Sequence, residues 1–301
     1  MKRIIFQTTI FILITGVSFL LILCQADGYS DAFYLKFTTK PQTNLILGTS
    51  RAAQGLQPLI FDAILKKEAP FFNYAFTLAQ SPFGAVYLNS IQKKLDTTKT
   101  KATFIVTVDP WTICSETKNP NDSTNFREVE LALANTENVN VKPNLGYLYH
   151  NYGGKYHQIL FPINSKMYLH EEGWLEMNLR TDTATIRQRT LKKIKDYRYN
   201  VLPKYKFSSL RLQYLIKTIQ YLNKYGEVFL VRIPVSEKMM EIENELMSDF
   251  DFKIKEAILL SKDYLDLTKE NSSFTYTDGN HLYKKSGAVV SEKIANWVKS
   301  K

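Results

Sequence analysis

The sequence predicts an α/β domain with a mainly parallel sheet and helices on both faces, preceded by one transmembrane helix. Short apolar runs alternate with stretches of helical periodicity, as they do in parallel sheets. The 21 residues from Ile4 to Cys24 carry no charge, which indicates a membrane span. The alternation breaks at about 115–206, where Asn, Gly and scattered aromatic residues indicate a long insertion. We therefore expect an anchor or signal segment over 1–26 and one domain over 27–301.

The composition excludes several classes of protein. The chain has 301 residues, is 45% hydrophobic and 23% charged, and so can form a sizeable core, unlike a disordered or fibrous chain. Two cysteines cannot form a disulfide framework, and no Cys or His spacing is typical of zinc. Neither GxGxxG nor GxxxxGK occurs, although the turn at 48–51 remains a distant alternative as a phosphate cradle. We expect no metal and no cofactor.

The uncharged amino-terminal segment has the length of a membrane span. A helix over 4–24 would be about 31 Å long, close to the hydrocarbon thickness of a bilayer. Lys2 and Arg3 precede it, and this positive flank favours a cytoplasmic amino terminus with the domain on the exported side. Signal-peptide cleavage near Cys24-Gln25-Ala26 and lipidation of Cys24 are the alternatives. An exported, single-pass cell-membrane protein is not expected to bind nucleic acid, despite its net charge of +10.

The first half of the domain alternates between strands and helices. The predicted elements are strands at Asn44 to Leu47, Phe71 to Phe76 and Thr103 to Val108, and helices at 56–67 and about 83–95. The first strand is apolar and ends in the turn Gly48-Thr49-Ser50. The third is rich in β-branched residues, and Asp109-Pro110 ends it.

The last third of the chain resumes the alternation. The predicted elements are helices at 209–224 and 284–299 and strands at Val228 to Ile233 and Tyr264 to Leu267. Leu215, Ile219 and Leu222 give the first helix its periodicity, and Gly226 stops it. Pro234 ends the strand that follows.

Most of the net charge lies in one stretch of the insertion. Between Arg180 and Lys206 there are nine basic and two acidic residues, a net +7. Such a stretch is either a solvated helix face or a surface that contacts an anionic lipid or an anionic polymer. We expect it to lie away from the residues proposed for chemistry.

Polar residues follow the predicted strands at one edge of the sheet, where ligands bind in open α/β folds. The candidates are Ser50, Asn73, Ala75, Asp109, Arg232 and the loop Thr277 to Leu282. In that loop Asp278 and His281 lie three residues apart and can present their side chains on one side. A histidine that removes the proton of a serine, and is itself oriented by a carboxylate, activates the serine as a nucleophile. Ser50, His281 and Asp278 therefore form a candidate triad.

Two blocks of the sequence resemble the SGNH (GDSL-type) hydrolase superfamily. Residues 44–51 (Asn-Leu-Ile-Leu-Gly-Thr-Ser-Arg) are similar to the family's first block. Residues 278–281 (Asp-Gly-Asn-His), just before the last helix, are similar to its last block. The resemblance covers about 44–111 and 207–301. It implies a flavodoxin-like three-layer α/β/α sandwich.

The resemblance also implies roles for individual residues. Ser50 would be the nucleophile, His281 the general base and Asp278 the carboxylate that orients it. The exported, membrane-anchored arrangement is similar to branches of the family that acylate or deacylate envelope polymers. This implies a serine esterase or O-acyltransferase whose substrate is an acylated glycan or envelope polymer. A catalytically inactive scaffold or binding protein of the envelope is the alternative.

The sequence departs from the family pattern between the two blocks. Thr49 and Arg51 flank the serine where the family usually has Asp and Leu. In the second block the nearest counterparts of the oxyanion glycine are Asn73 and Ala75. The third block, Gly-x-Asn-Asp, is missing, and Asp109 stands at the end of the corresponding strand.

Three charged residues at the sheet edge have two interpretations each. Arg51 and Arg232 either bind an anionic group of the substrate or form structural ion pairs with nearby carboxylates. Asp109 is either a second carboxylate in the cleft or the cap of the next loop.

Overall fold

The computed structural model describes residues 1–161 and 166–301. The α-helices are α1 (Lys2–Leu23), α2 (Ser50–Gly55), α3 (Pro58–Leu65), α4 (Ala85–Lys94), α5 (Ala132–Asn135), α6 (Leu145–His150), α7 (Thr183–Asp196), α8 (Ser209–Leu222), α9 (Glu237–Leu246), α10 (Phe250–Lys253), α11 (Lys255–Leu260) and α12 (Lys284–Lys299). The strands are β1 (Asn44–Leu47), β2 (Phe71–Asn73), β3 (Ala102–Thr107), β4 (Cys114–Ser115), β5 (Met167–Leu169), β6 (Leu175–Met177), β7 (Lys206–Phe207), β8 (Gly226–Arg232) and β9 (Asp263–Asp266).

Five parallel strands form the central sheet, in the order β2-β1-β3-β8-β9. This confirms the predicted α/β class and all five predicted strands, with shifts of one or two residues at most ends. The largest difference is at β2, which ends at Asn73 and not at Phe76. Beyond it the chain still runs beside β1, where Tyr74 N–H donates to the Ile46 carbonyl at 2.8 Å.

The central strands are almost fully buried because both faces of a parallel sheet are normally covered. Every residue of β1 and β3 is buried, as are the last five residues of β8. Their apolar side chains belong to one continuous hydrophobic cluster. This core fixes the carboxyl ends of the strands, where the candidate site residues lie.

The helices agree with the sequence in the main, with two differences. The helix predicted at 56–67 matches α3, which Pro58 begins, and the short helix α2 that precedes it was not predicted. Between β8 and β9 lie α9, α10 and α11, which were not predicted. The helices predicted at about 83–95, 209–224 and 284–299 match α4, α8 and α12.

The last helix packs closely on α2 and α3. A Cβ atom on Gly287 of α12 would lie 2.6 Å from the Gly55 carbonyl, so the two backbones meet where neither residue has a side chain. The Ser291 hydroxyl also accepts a hydrogen bond from Gln57 N–H at 3.0 Å. This contact brings the loop before α12 next to the start of α2, where Ser50 lies.

Helix α1 is long and apolar enough to cross a membrane, with a mean hydropathy of 2.2 over its best window. It is the only such helix among residues 1–161 and 166–301. Its side chains are exposed over most of its length, but Leu23 at its end is buried.

The segment predicted as an insertion contains α5, α6, α7 and the antiparallel hairpin of β5 and β6. It begins after β4 and ends at β7, and these two strands pair antiparallel in a small sheet of their own. The segment therefore starts and ends at one place beside the sheet. Residues 162–165 of it lie outside the described residues.

Gly48, between β1 and α2, has a φ of +146°, which side chains rarely adopt. A methyl group there would also overlap the Thr107 hydroxyl, which donates to the Leu47 carbonyl at 3.1 Å. Only glycine fits at this point of the turn that precedes Ser50.

We expect Gly48→Ala to lower the free energy of unfolding by about 3 kcal/mol or more, from backbone strain together with overpacking. Gly153→Ala is the control, because a Cβ there meets nothing within 4 Å. It should change stability by less than about 1 kcal/mol. Urea unfolding in detergent measures both, and equal losses would contradict the prediction.

Candidate active site

The turn that carries Ser50 is held by two side chains. The Tyr87 hydroxyl accepts a hydrogen bond from Gly48 N–H at 3.0 Å and donates to the Tyr74 carbonyl at 2.7 Å. The Ser81 hydroxyl donates to the Gly48 carbonyl at 2.8 Å. These contacts hold the end of β1, so that Ser50 starts α2 with its side chain partly exposed. As the first residue of the helix, Ser50 has no carbonyl one turn earlier to accept from its N–H.

The loop between β9 and α12 is closed by its own backbone. Thr277 N–H donates to the His281 carbonyl at 2.8 Å, and Asp278 Oδ1 accepts from His281 N–H at 2.9 Å. Gly279 adopts a φ of +82°, and its carbonyl accepts from Ser236 N–H at 2.9 Å. The loop therefore presents Asp278 and His281 from a fixed backbone.

Ser50, His281 and Asp278 form one hydrogen-bonded chain. Ser50 Oγ lies 2.9 Å from His281 Nε2. On the other side of the ring, His281 Nδ1 lies 3.0 Å and 3.1 Å from the two oxygens of Asp278. An ionised carboxylate only accepts, so the proton of a neutral imidazole lies on Nδ1 and Nε2 is free to accept from the serine hydroxyl. This is the arrangement in which a serine can be deprotonated as it attacks.

Asp278 is held in its ionised form. Its burial alone would raise the pKa, but His281, Lys193 and the N–H of Asn280 together keep the pKa below its usual range. A carboxylate with a lowered pKa stays charged at neutral pH and stabilises the imidazolium that forms when His281 takes a proton.

Asn280 lies between the triad and a buried arginine. Its Oδ1 accepts two hydrogen bonds from Arg51, at 3.1 Å from Nε and at 2.7 Å from Nη2. Since the guanidinium only donates, the amide atom that faces Arg51 must be the oxygen, and the amide nitrogen points away from Arg51. That nitrogen lies 3.4 Å from His281 Nε2, the atom that faces Ser50. Asn280 therefore places an N–H donor beside His281 Nε2.

Arg51 and Arg232 belong to a buried cluster of charges. Arg51 Nη1 lies 3.2 Å from Asp109 and 2.5 Å from Glu243, and Arg232 lies 3.1 Å from the other oxygen of Glu243. Trp111 Nε1 donates to Glu243 at 3.2 Å. Two cations and two carboxylates balance one another in this cluster. Both arginines are thus in structural ion pairs, which is the alternative to binding an anionic substrate group.

Burial and pairing act on the pKa values of this cluster in opposite directions. Burial raises the pKa of Asp109, and the neighbouring Arg51 opposes that shift. Burial alone would lower the pKa of Arg51, but Glu243 and Asp109 raise it above its ordinary value. Asp109 also caps the turn Pro110–Ile113, where its side chain accepts from Thr112 N–H at 3.1 Å. It serves as a cap and as a partner of Arg51.

Asn73 and Ala75 have their donors engaged elsewhere. Asn73 Nδ2 donates to the carbonyls of Ala52 and Leu56, both at 2.9 Å, and Ala75 N–H donates to Asn73 Oδ1 at 3.1 Å. Asn73 is fully buried between α2 and the end of β2. These bonds argue against the role of oxyanion donor that was considered for the two residues, and they give Asn73 a structural role.

The basic stretch from Arg180 to Lys206 does not lie away from the candidate site, contrary to the expectation from sequence. Lys193 of α7 reaches within 3.7 Å of Asp278. A Cβ on Gly279 would lie 2.9 Å from the side chain of Thr190, so α7 packs directly on the loop of the triad. The reason is non-local packing: Tyr197, just after α7, makes an edge contact with the ring of Trp111 at 5.0 Å.

Sequence reasoning missed three residues of the site, namely Asn280, Glu243 and Lys193. Asn280 could have been noticed because it lies inside the Asp-Gly-Asn-His block. Glu243 lies on a helix that was not predicted, and no local pattern connects it with Arg51. Among the described residues, no group of three or more His, Cys, Asp or Glu side chains could hold a metal ion.

No family model matches this chain, and no curated protein matches it either. The functional argument therefore depends on the geometry of the site.

We expect Glu243→Gln to destabilise the fold by about 3–5 kcal/mol, because it leaves two buried arginines with Asp109 as their only carboxylate. The matched control is Glu245→Gln on the same helix. Glu245 forms an ion pair with Arg198, but both side chains are about a third or more exposed. Its loss should cost less than about 1 kcal/mol. Chemical unfolding of both variants measures the difference, and a Glu243→Gln variant as stable as the control would contradict the prediction.

Proposed function

We propose that this chain is a membrane-anchored serine esterase or O-acyltransferase of the SGNH type. The observation that carries the proposal is the continuous chain from Ser50 Oγ through His281 to Asp278, with contacts of 2.9 Å and 3.0 Å. The serine begins a helix directly after a strand, and the histidine and aspartate come from the loop before the last helix. This placement supports the resemblance found in the sequence.

The proposed reaction follows from the positions of these groups. Ser50 Oγ attacks the carbonyl carbon of an acyl ester while His281 Nε2 takes its proton. The tetrahedral intermediate collapses, the ester bond breaks, and His281 returns the proton to the departing alcohol. An acyl group remains on Ser50, and water or a sugar hydroxyl then attacks it by the reverse steps. Hydrolysis and transfer differ only in that acceptor.

Two donors are available for the oxyanion of the intermediate. One is Ser50 N–H at the start of α2, and the other is the amide nitrogen of Asn280, 3.4 Å from His281 Nε2. Fixed N–H donors directed at developing negative charge stabilise such a transition state strongly. Asn280 would thus replace the asparagine of the missing third block, held in place by Arg51.

The fold gives further support to the SGNH assignment. Strands in the order β2-β1-β3-β8-β9 have the flavodoxin-like order when they are counted along the chain. We propose a flavodoxin-like sandwich in which the segment between β4 and β7 is an insertion, since its two ends pair with each other.

The substrate we propose is an acylated glycan or polymer of the cell envelope that carries negative charge. Lys193 lies beside the triad and belongs to the stretch 180–206, which has a net charge of +7. A positive surface next to the serine would raise the local concentration of an anionic substrate or of anionic lipid. With α1 as a single-pass anchor and its amino terminus cytoplasmic, the domain would face the exported side.

A catalytically inactive scaffold or binding protein of the envelope is the second candidate. The observation that favours it is the engagement of Asn73 and Ala75 in internal hydrogen bonds, which leaves fewer donors for an oxyanion. The two candidates differ in whether Ser50 reacts.

A fluorophosphonate probe is expected to label the full-length protein at Ser50, because an activated serine attacks its phosphorus, displaces fluoride and becomes phosphonylated. Ser50→Ala should abolish labelling, and Asp278→Asn should slow it by on the order of 10²–10⁴-fold through loss of the correct histidine tautomer. Ser123→Ala, at an exposed serine outside the site, is the control. Folded protein without label on Ser50, as judged by mass spectrometry, would rule out the nucleophile and favour the scaffold.

Asn280→Ala is expected to lower kcat for hydrolysis of p-nitrophenyl acetate by about 10²–10³-fold, through loss of a transition-state donor. Asn280→Asp separates this role from a structural one. It keeps an oxygen for Arg51 but has no N–H to donate, so it should not restore the rate. Recovery of the rate in Asn280→Asp would assign the residue to positioning Arg51 alone.

A further inference from the structure

The end of α1 is built into the domain and is not a free tether. Leu23 and Ala26 are only 6% and 1% exposed, and both belong to the main hydrophobic core. Two residues later the Gly28 carbonyl accepts from Leu169 N–H of β5 at 3.0 Å. Because the end of the helix packs into the core of the domain, the position of α1 in a bilayer also sets the position of the domain.

The length of α1 gives the depth at which the domain begins. A hydrocarbon layer of about 30 Å needs about 20 helical residues, which is the run from Ile4 to Leu23. Leu23 then lies at the outer boundary of the hydrocarbon, and Phe19 lies about 6 Å inside it. The ring of Tyr156 contacts Phe19 edge-on, with 5.6 Å between the ring centres. Tyr156 therefore reaches the same depth as the last turn of the helix.

The protein surface around Tyr156 is unusually apolar for a face in water. We call residues 145–161 the juxtamembrane surface; it contains α6 and the 3-10 helix Tyr156–Ile159. Its large exposed apolar side chains are Leu145, Tyr149, Tyr156, Leu160 and Phe161, of which Tyr149 and Phe161 are 80% and 69% exposed. The sequence has no Asp or Glu from Asn138 to Phe161 but contains Lys142 and Lys155.

Two internal contacts join this surface into one unit. The Tyr156 hydroxyl donates to the Leu148 carbonyl at 3.1 Å, and the rings of Tyr152 and Tyr156 stack with 5.6 Å between their centres. Aromatic, aliphatic and basic side chains without acidic ones are the composition of protein segments that lie at the boundary of headgroups and acyl chains.

We propose that the juxtamembrane surface lies in the interfacial layer of the same bilayer that α1 spans, with Leu160 and Phe161 inserted among the lipids. The partner is a lipid surface because the patch is continuous with α1 through Phe19 and Tyr156. The helix and the patch then hold the domain at two points, which fixes its tilt. The proposal depends on α1 as a membrane anchor and is independent of any activity of Ser50.

The two-point attachment also extends to the helix that carries Ser50. Leu169 of the hairpin of β5 and β6 donates to the Gly28 carbonyl, shortly after α1. Trp174, in the turn between β5 and β6, donates from Nε1 to the Gln54 carbonyl of α2 at 2.9 Å. The membrane surface is thus connected to α2 through one hairpin. A fixed tilt of the domain is therefore also a fixed position of the Ser50 edge relative to the bilayer.

Depth-dependent quenching tests the proposal in the full chain, reconstituted in vesicles of phosphatidylcholine and phosphatidylglycerol. Phe161→Cys carries an environment-sensitive fluorophore in a Cys24→Ser background, and quenchers are lipids with a nitroxide near the headgroup. Cys114 stays unlabelled because it is buried and burial raises the pKa of its thiol to about 12. The control is Leu259→Cys, since Leu259 is exposed to a similar extent, at 74%. It lies on α11, beside β9, which is at the opposite edge of the sheet from β2.

We expect the label at 161 to be quenched by the nitroxide lipids at least about twofold more than the label at 259, and to emit at shorter wavelength. Equal quenching at the two positions would overturn the proposal. Protection of position 161 from a water-soluble quencher without quenching by the lipids would also overturn it, because a protein would then cover the surface. Both variants leave Ser50, His281 and Asp278 untouched, so fluorophosphonate labelling reports separately on the proposed activity.

Discussion

Arg51 connects four separate parts of the chain. It follows the candidate nucleophile, and its guanidinium contacts Asp109 after β3, Glu243 on α9 and Asn280 in the loop before α12. Buried ion pairs gain stability only when every charge has partners, so each of these elements must be in place for the others to be tolerated. The same guanidinium orients the amide beside His281. One arginine thus makes the geometry of the site depend on the correct packing of the whole sheet edge.

The strands and the triad were predictable because their signals are local. Apolar runs ended by turn residues indicated the five strands, and the blocks around Ser50 and His281 indicated the residues that meet. The surroundings of the triad were not predictable in the same way. Glu243 and Arg51 are separated by most of the chain, and their pairing depends on how α9 packs. Asn73 was placed at the correct edge, but its hydrogen bonds go to α2, which no sequence pattern indicates.

The net charge of the chain has a more specific meaning in the folded protein than in the sequence. Its largest concentration lies on and after α7, which packs on the loop of Asp278 through Thr190 and Gly279. Gly279 has a left-handed backbone, and a side chain at this position would also collide with α7. The close packing of α7 on this loop therefore needs a glycine here. The segment between β4 and β7 therefore contributes to the candidate site itself, in addition to extending the surface.

The burial of Ala26 sets a condition on any cleavage of the chain after α1. A signal peptidase needs an extended, accessible stretch of backbone, and the stretch around Cys24-Gln25-Ala26 is accessible only before the domain folds, since Ala26 is 1% exposed afterwards. Cleavage would also separate Leu23 from the core that it helps to fill. Whether the helix is retained is thus a competition between the rate of folding and the rate of proteolysis. A domain that folds quickly would therefore protect α1 from removal.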